Sequence, residues 1–130
     1  MKKIRYKLRT LPPSHPKYLR WLELFNKVSL LDYVATYTDE MEVEDNANHL
    51  AICEKLFEKF NLNHPSNYAA HSMSVSDIVE IIDDNKEYYY FCDDIGFVLL
   101  NGNPKFKGWE NRWIRWLNLM VLIVQIVQPN

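Results

Sequence analysis

Glycine and cysteine are scarce in this 130-residue chain, which holds three glycines and two cysteines. It has no glycine-rich phosphate-binding loop and no Gly-x-Ser-x-Gly elbow, so it lacks the backbone signatures of nucleotide-binding proteins and of many serine hydrolases. Cys53 and Cys92 lie too far apart for a metal or redox pair, and we expect two reduced, buried thiols, as is usual in the cytoplasm. We therefore predict no cofactor and no metal site.

Repeats and low-complexity segments are also missing, whereas apolar residues make up 48% of the chain and aromatic residues 14%. This composition excludes a disordered protein, which needs low hydrophobicity and high net charge. The length fits one domain that buries its own core. Residues 1–10 are basic, but no apolar stretch follows them, so we expect no signal peptide.

Charge is distributed unevenly along the chain, although the net charge is only −2. Residues 1–20 hold seven bases and no acid, residues 21–99 hold sixteen acids and four bases, and residues 100–130 hold four bases and one acid. Two explanations stay open: the basic segments lie against acidic elements of the fold, or an acidic face binds a basic partner protein. The candidate partner-binding residues of that acidic face are Asp39, Glu40, Glu42, Glu44, Asp45, Asp83 and Asp84.

Hydrophobic periodicity in the first half of the chain predicts strands and helices in alternation. Residues 2–9 alternate between apolar and basic side chains, which predicts a strand at the edge of a sheet. A helical stripe predicts a helix over residues 17–28. Residues 33–38 favour a second strand, followed by an acidic stretch. A second helix, capped by Asp45 or Asn46, runs to about Phe60.

A β-hairpin is the clearest prediction for the second half. Residues 78–82 and 87–92 are apolar and aromatic runs on either side of the turn-forming Asp83-Asp84-Asn85, and residues 96–100 add a third run. The predicted fold class is α+β: a small antiparallel sheet of four or five strands, two helices packed on one face, and a C-terminal apolar helix or strand.

The C-terminal segment is rich in tryptophan and apolar residues. Its periodicity fits a helix, but its valine and isoleucine content also allows a strand. It is too short and too polar for a transmembrane span, which needs about 20 apolar residues. Three alternatives stay open: packing into the domain's core, a partner or homodimer interface through residues 113–127, and an interfacial membrane helix.

The side chains that could carry chemistry are scattered. The four histidines show no metal-ligand spacing. A small hydrolase that uses His71, a nearby serine and Asp77 is the weaker alternative, because geometry rather than chain order defines such a triad. Direct nucleic-acid binding needs a basic face, which the acid-rich middle of the chain opposes. We therefore predict a protein that is not an enzyme and does not bind nucleic acid directly.

The segment HSMSVSDIV at residues 71–79, followed by YYYFCDDIGF at residues 88–97, resembles the signature of the YodL-like domain family. The resemblance covers about residues 1–100 and leaves residues 101–130 as a tryptophan-rich extension packed on that domain. The signature positions in this chain are Ser74, Ser76, Asp77, Asp94, Gly96 and Phe97. The resemblance implies no catalytic residues. It implies a setting in mobile elements and phages of Gram-positive bacteria, often beside conjugation and antirestriction functions.

The charge pattern, the lack of a catalytic motif and this resemblance lead to one expectation of function. We expect a mobile-element or phage accessory protein that is not an enzyme and acts in the cytoplasm of its bacterial host. It would bind a basic protein, such as a nucleic-acid enzyme of host defence, in the manner of an anti-CRISPR or antirestriction inhibitor. A DNA-binding or structural accessory domain of a conjugative element is the alternative.

Overall fold

A computed structural model describes residues 1–12, 28–63, 65–68, 73–103 and 105–107. The described elements are five strands, one α-helix and one turn of 3-10 helix at Leu30–Asp32. The strands are β1 (Lys2–Thr10), β2 (Val34–Val43), β3 (Ile78–Asp83), β4 (Lys86–Cys92) and β5 (Phe97–Leu99), and the helix is α1 (His49–Leu62). No helix among the described residues is long and apolar enough to cross a membrane.

The strands form one antiparallel sheet in the order β2-β1-β3-β4-β5. The hairpin prediction is confirmed, since β3 and β4 pair across a turn at Asp84 and Asn85. Both turn residues have positive φ angles, 53° and 62°, as the tight turns that suit a twisted hairpin require. The prediction that β1 is an edge strand is wrong, because β1 lies between β2 and β3.

The charged face of β1 is compatible with this interior position because acids lie opposite its bases. Arg5 pairs with Glu40 and Lys3 with Glu42 on β2, and Lys7 pairs with Glu80 on β3. Opposite charges facing each other across neighbouring strands stabilise a sheet. A strand with one basic face can therefore be satisfied within the sheet, without an edge exposed to water.

The predicted fold class is wrong in its balance of helix and sheet. The described residues form a five-stranded sheet with one α-helix, not two helices packed on one face. The second strand is longer than predicted because β2 continues through the acidic stretch to Val43, where its acids face the bases of β1. The helix predicted over residues 17–28 and the C-terminal helix or strand lie outside the described residues, apart from Val28, which is not helical.

The core has two parts, one on each face of the sheet. On one face, α1 buries Ile52, Cys53, Leu56 and Phe60 against the apolar side chains of β1, β3 and β4. On the other face, Leu30 and Phe106 pack with Ile78, Tyr89 and Phe91. Leu50 in the first turn of α1 is 46% exposed, whereas Ile52 is buried. The sheet thus carries apolar clusters on both faces, and the buried Glu80 on its central strand is a charged group within it.

Candidate functional site

One edge of the sheet is formed by β2, which is the longest described strand at ten residues, and the other edge is formed by β5. Most of its side chains are exposed, and Val34 at its start is 53% exposed. Its pairing with β1 is regular from Tyr37 to Val43, and a bulge interrupts it near Thr36, whose hydroxyl donates to the Leu8 carbonyl oxygen at 3.2 Å. The regular part of this edge carries three of the seven predicted acidic residues, Asp39, Glu40 and Glu42.

Five acids lie along and just beyond this edge, and we call them the acidic edge: Asp39, Glu40, Glu42, Glu44 and Asp45. All five are exposed. They line one edge of the sheet rather than one face. Asp39 lies opposite Tyr6, on the face that α1 covers, whereas Glu40 and Glu42 belong to the other face.

Only part of this negative charge is neutralised within the described residues. Lys3 Nζ lies 3.7 Å from a Glu40 carboxylate oxygen, and the amino group of Met1 lies 3.3 Å from Asp45. Both pairs are well exposed, so each contributes little, about 0–1 kcal/mol. Among the described residues, no base lies within salt-bridge distance of Asp39, Glu42 or Glu44.

The bases of β1 are mostly directed at acids of the domain itself. Arg9 Nε donates to Glu80 Oε1 at 2.8 Å, and both side chains are buried or nearly so. Lys3 and Arg5 lie beside Glu42 and Glu40. The structure therefore places the basic strand against acidic elements, and acids in excess of those pairs remain exposed along β2.

Asp83 and Asp84 do not join the acidic edge. Asp84 is exposed in the hairpin turn. Asp83, at the end of β3, is only 12% exposed and receives two hydrogen bonds, from Lys2 Nζ at 3.0 Å and from His49 Nε2 at 2.8 Å. The hydrogen bond from His49, aided by Lys2 and opposed by partial burial, holds the pKa of the Asp83 carboxyl below its usual value. This carboxylate is occupied within the domain.

The cluster around His49 was not predicted from the sequence. His49 lies in the first turn of α1, after the cap that Asn48 provides by accepting from the Leu50 amide. Its Nδ1 is 2.9 Å from the Tyr90 hydroxyl, and its ring meets Tyr88 edge-on. Burial raises the pKa of the Tyr90 phenol to about 12, so that hydroxyl stays protonated. The residues lie far apart in sequence, and no local pattern joins them.

A groove of about 640 Å³ opens beside this cluster, between the start of α1 and the β4–β5 edge. Its walls are largely apolar, and Leu50 and Leu99 at its rim are partly exposed. Both ring nitrogens of His49 are within hydrogen-bond distance of groups of the domain. The imidazole is therefore held in place by its neighbours rather than presented to a ligand.

Three signature residues, Ser74, Ser76 and Asp77, build the turn that leads into β3. The Asp77 carboxylate accepts a hydrogen bond from the Ser74 amide at 2.9 Å. The Ser76 amide donates to the Cys92 carbonyl oxygen, and the Cys92 amide donates to the Asp77 carbonyl oxygen, each at 2.8 Å. Ser76 has a φ of 81°, which is strained for a residue with a side chain. These contacts tie the start of β3 to the end of β4.

The other signature residues lie around the turn between β4 and β5. Asp94 is exposed, Phe97 is half-buried, and the Phe97 ring packs edge-on against Phe57. Gly96 has a φ of 154°, which residues with side chains rarely adopt. Within the described residues, the signature therefore shapes the connections around β4.

The groups proposed for a hydrolase lie only partly within the described residues. His71 and Ser72 lie outside the described residues. Asp77 is buried in the turn, and its carboxylate holds the Ser74 amide. In the part of the chain that the structure describes, no group of three His, Cys, Asp or Glu side chains could hold a metal ion.

The prediction of two free, buried cysteines is confirmed. Burial raises the pKa of both thiols, to about 12 for Cys92, so neither forms a thiolate near neutral pH. These cysteines therefore offer no nucleophile to a substrate.

Comparison with known proteins gives one match. A family model described as the YodL-like domain matches residues 6–101. The match spans β1 to β5 and all six signature positions. No curated protein and no solved structure matches the chain.

Proposed function

The chain belongs to the YodL-like domain family, and from that premise and the acidic edge of β2 we propose that it acts by binding a basic protein. The proposed role is that of a mobile-element or phage accessory protein without enzyme activity. Its partner would be a nucleic-acid enzyme of host defence, and its action inhibitory, of the anti-CRISPR or antirestriction type. One observation carries the proposal: five exposed acids occupy seven consecutive positions, 39–45, at and beyond the sheet edge.

Electrostatics explains how such an edge would inhibit a nucleic-acid enzyme. The grooves of these enzymes are basic because they neutralise the phosphates of DNA or RNA. A run of exposed carboxylates is attracted to the same groove and competes for it. The attraction is strongest for Asp39, Glu42 and Glu44, which have no base within salt-bridge distance among the described residues.

The contacts of β1 disfavour the alternative of a DNA-binding accessory domain. A DNA-binding strand would need exposed bases free to meet phosphates. Here Arg9 is held by buried Glu80, and Lys3 lies near Glu40. The described part of the chain offers a mixed surface at β1 and a negative one along β2.

Reversing two exposed acids that lack an ion pair among the described residues tests the proposal. Because Glu42 lies opposite Lys3 on β1, the reversal costs some sheet stability, and the folding of each variant is checked first by circular dichroism. The test variant is Glu42→Lys with Glu44→Lys, and the matched control is Glu58→Lys with Asp94→Lys, which changes the net charge equally at exposed positions away from β2. A partner is first isolated on the wild-type chain from extracts of a Gram-positive host, identified, and purified. Its affinity is then titrated for all three chains at two salt concentrations.

We expect the test variant to bind the partner about tenfold more weakly or worse at low salt, and the control to bind nearly as well as wild type. If both variants lose affinity equally, the effect comes from net charge and not from the position of the acids on β2. Unchanged binding in the test variant would refute a role for the acidic edge. If the test variant binds DNA more tightly than the wild-type chain does, the result would support the DNA-binding alternative instead.

A further inference from the structure

We propose that the outer edge of β2 accepts an extended basic segment of the partner protein as an additional strand of the sheet. This inference rests on the proposed function, because it specifies how the same acidic edge binds its partner. Within the described residues, β2 pairs on one side only, with β1. The backbone donors and acceptors on its other side are the groups that a bound strand would use.

The edge is protected against another strand mainly by its own charge. Proteins usually block an exposed edge with charged side chains, especially lysine, or with proline, a bulge or a very short strand. β2 has ten residues and contains no lysine and no proline. Its bulge lies near Thr36, so the stretch from Tyr37 to Val43 is regular and long enough to pair. The side chains that mark this stretch are acids.

The inner neighbour of β2 shows which sequence chemistry suits the other side. β1 alternates apolar and basic residues, and it pairs antiparallel with β2 so that Arg5 faces Glu40 and Lys3 faces Glu42. A partner strand with bases at alternate positions would make equivalent pairs from outside. Asp39 projects to the opposite face from Glu40, so bases on either face of a bound strand find a carboxylate.

Charge also decides against a second copy of this chain at the same edge. Two β2 edges would place Asp39, Glu40 and Glu42 beside another set of acids, and like charges on paired strands are destabilising. An acidic partner strand is disfavoured for the same reason. The occupant that fits is a basic, extended segment of a different protein.

Synthetic peptides separate backbone pairing from charge attraction. The probe is a capped peptide of alternating lysine and valine, about as long as β2. Two further versions carry N-methyl groups on alternate backbone nitrogens. One is methylated at the odd-numbered residues and the other at the even-numbered residues, so each loses the hydrogen-bond donors on one side of the strand without a change of charge. Binding of each peptide to the full chain is measured by calorimetry, and amide hydrogen exchange is followed in β2, with β5 as an internal control.

We expect the unmodified peptide to bind and to protect amides between Tyr37 and Val43, while β5 exchanges as before. N-methylation in one register, which removes the donors facing β2, should weaken binding at least about tenfold, and the other register should have a small effect, because a strand presents alternate donors to each side. The variant Glu42→Lys with Glu44→Lys should bind the unmodified peptide more weakly than the wild-type chain does.

The outcomes distinguish this inference from the proposed function. If both methylated peptides bind as well as the unmodified one, or if no β2 amide is protected, strand addition is wrong while binding by charge stands. If the unmodified peptide fails to bind, strand addition of this chemistry is overturned. If the reversed acids leave partner binding intact, the proposed function itself fails.

Discussion

Arg9 and Glu80 form the described ion pair whose loss should cost the most stability. The Glu80 side chain is fully buried, and its Oε1 accepts from Arg9 Nε at 2.8 Å. Its Oε2 has no hydrogen-bond partner among the described residues. Replacing Arg9 with methionine keeps an unbranched side chain of moderate length but leaves a buried carboxylate without its counter-charge. Breaking a buried pair in this way costs about 3–5 kcal/mol, out of a total stability of about 5–15 kcal/mol.

Urea denaturation followed by circular dichroism measures this loss. With a loss of about 4 kcal/mol and a denaturant slope of about 2 kcal/mol per M, the midpoint of Arg9→Met falls by about 2 M. Arg5→Met is the matched control, because Arg5 is exposed on the same strand and faces exposed Glu40. A surface arginine of this kind is worth about 0–1 kcal/mol.

The double variant Arg9→Met with Glu80→Met completes the argument. Apolar side chains of similar size often replace a buried ion pair at little cost, so this variant should recover most of the lost stability. If Arg9→Met is no less stable than Arg5→Met, Glu80 does not depend on Arg9. If the double variant is less stable than Arg9→Met alone, the buried charge is not the cause of the loss.

Three further predictions concern single residues. The pKa of Asp83 is lowered in the folded chain, so the stability that its carboxylate contributes is present above the ordinary value of 3.8 and is lost as the pH falls through the folded value. Asp83→Asn should therefore cost about 1–3 kcal/mol near pH 7 in urea denaturation. The cost should shrink as the pH falls below 3.8, and a cost that does not change with pH would contradict this. Cys53 and Cys92 should resist a thiol reagent at pH 8 in the native chain and react in urea, and rapid native labelling would contradict their burial. Gly96→Val and Gly102→Val should each lower the thermal midpoint by several degrees, because residues with side chains rarely adopt their φ angles of 154° and 87°, and an unchanged midpoint would contradict this.

Local patterns predicted the elements whose signals are complete within a few residues. The hairpin of β3 and β4 is an example, because Asp84 and Asn85 both tolerate the positive φ that the turn requires. The alternation of β1 predicted the strand itself. The helix start was misplaced by a few residues, since Asp45, Asn46 and Asn48 are all good caps and only the path of the chain selects Asn48.

Pairing between distant segments was not predictable from one sequence. The position of β1 depends on β2 and β3, which lie about 30 and 75 residues further along the chain. The length of β2 depends on the bases of β1, because acids favour a strand only where bases face them. The His49 cluster joins residues 34 and 81 positions apart through Asp83, so neither spacing nor periodicity indicated it.

The first explanation of the uneven charge, that the basic segments lie against acidic elements of the fold, accounts for some of the acids when they are sorted by their contacts. Glu80 is buried and serves the fold through Arg9, and Asp83 serves it through Lys2 and His49. These carboxylates neutralise bases of the amino-terminal strand, so those bases are not available to a nucleic acid. The acids beyond this requirement, Asp39, Glu42 and Glu44, gain no salt bridge from the described residues and remain on the surface. Asp39 and Glu44 lie opposite no base of β1, whereas Glu42 faces Lys3, so reversing Glu42 should weaken the strand pairing somewhat. Because all three acids are exposed and one cross-strand pair is worth only about 0.2–1 kcal/mol, the domain should stay folded, and binding at the acidic edge of β2 can be tested separately from stability.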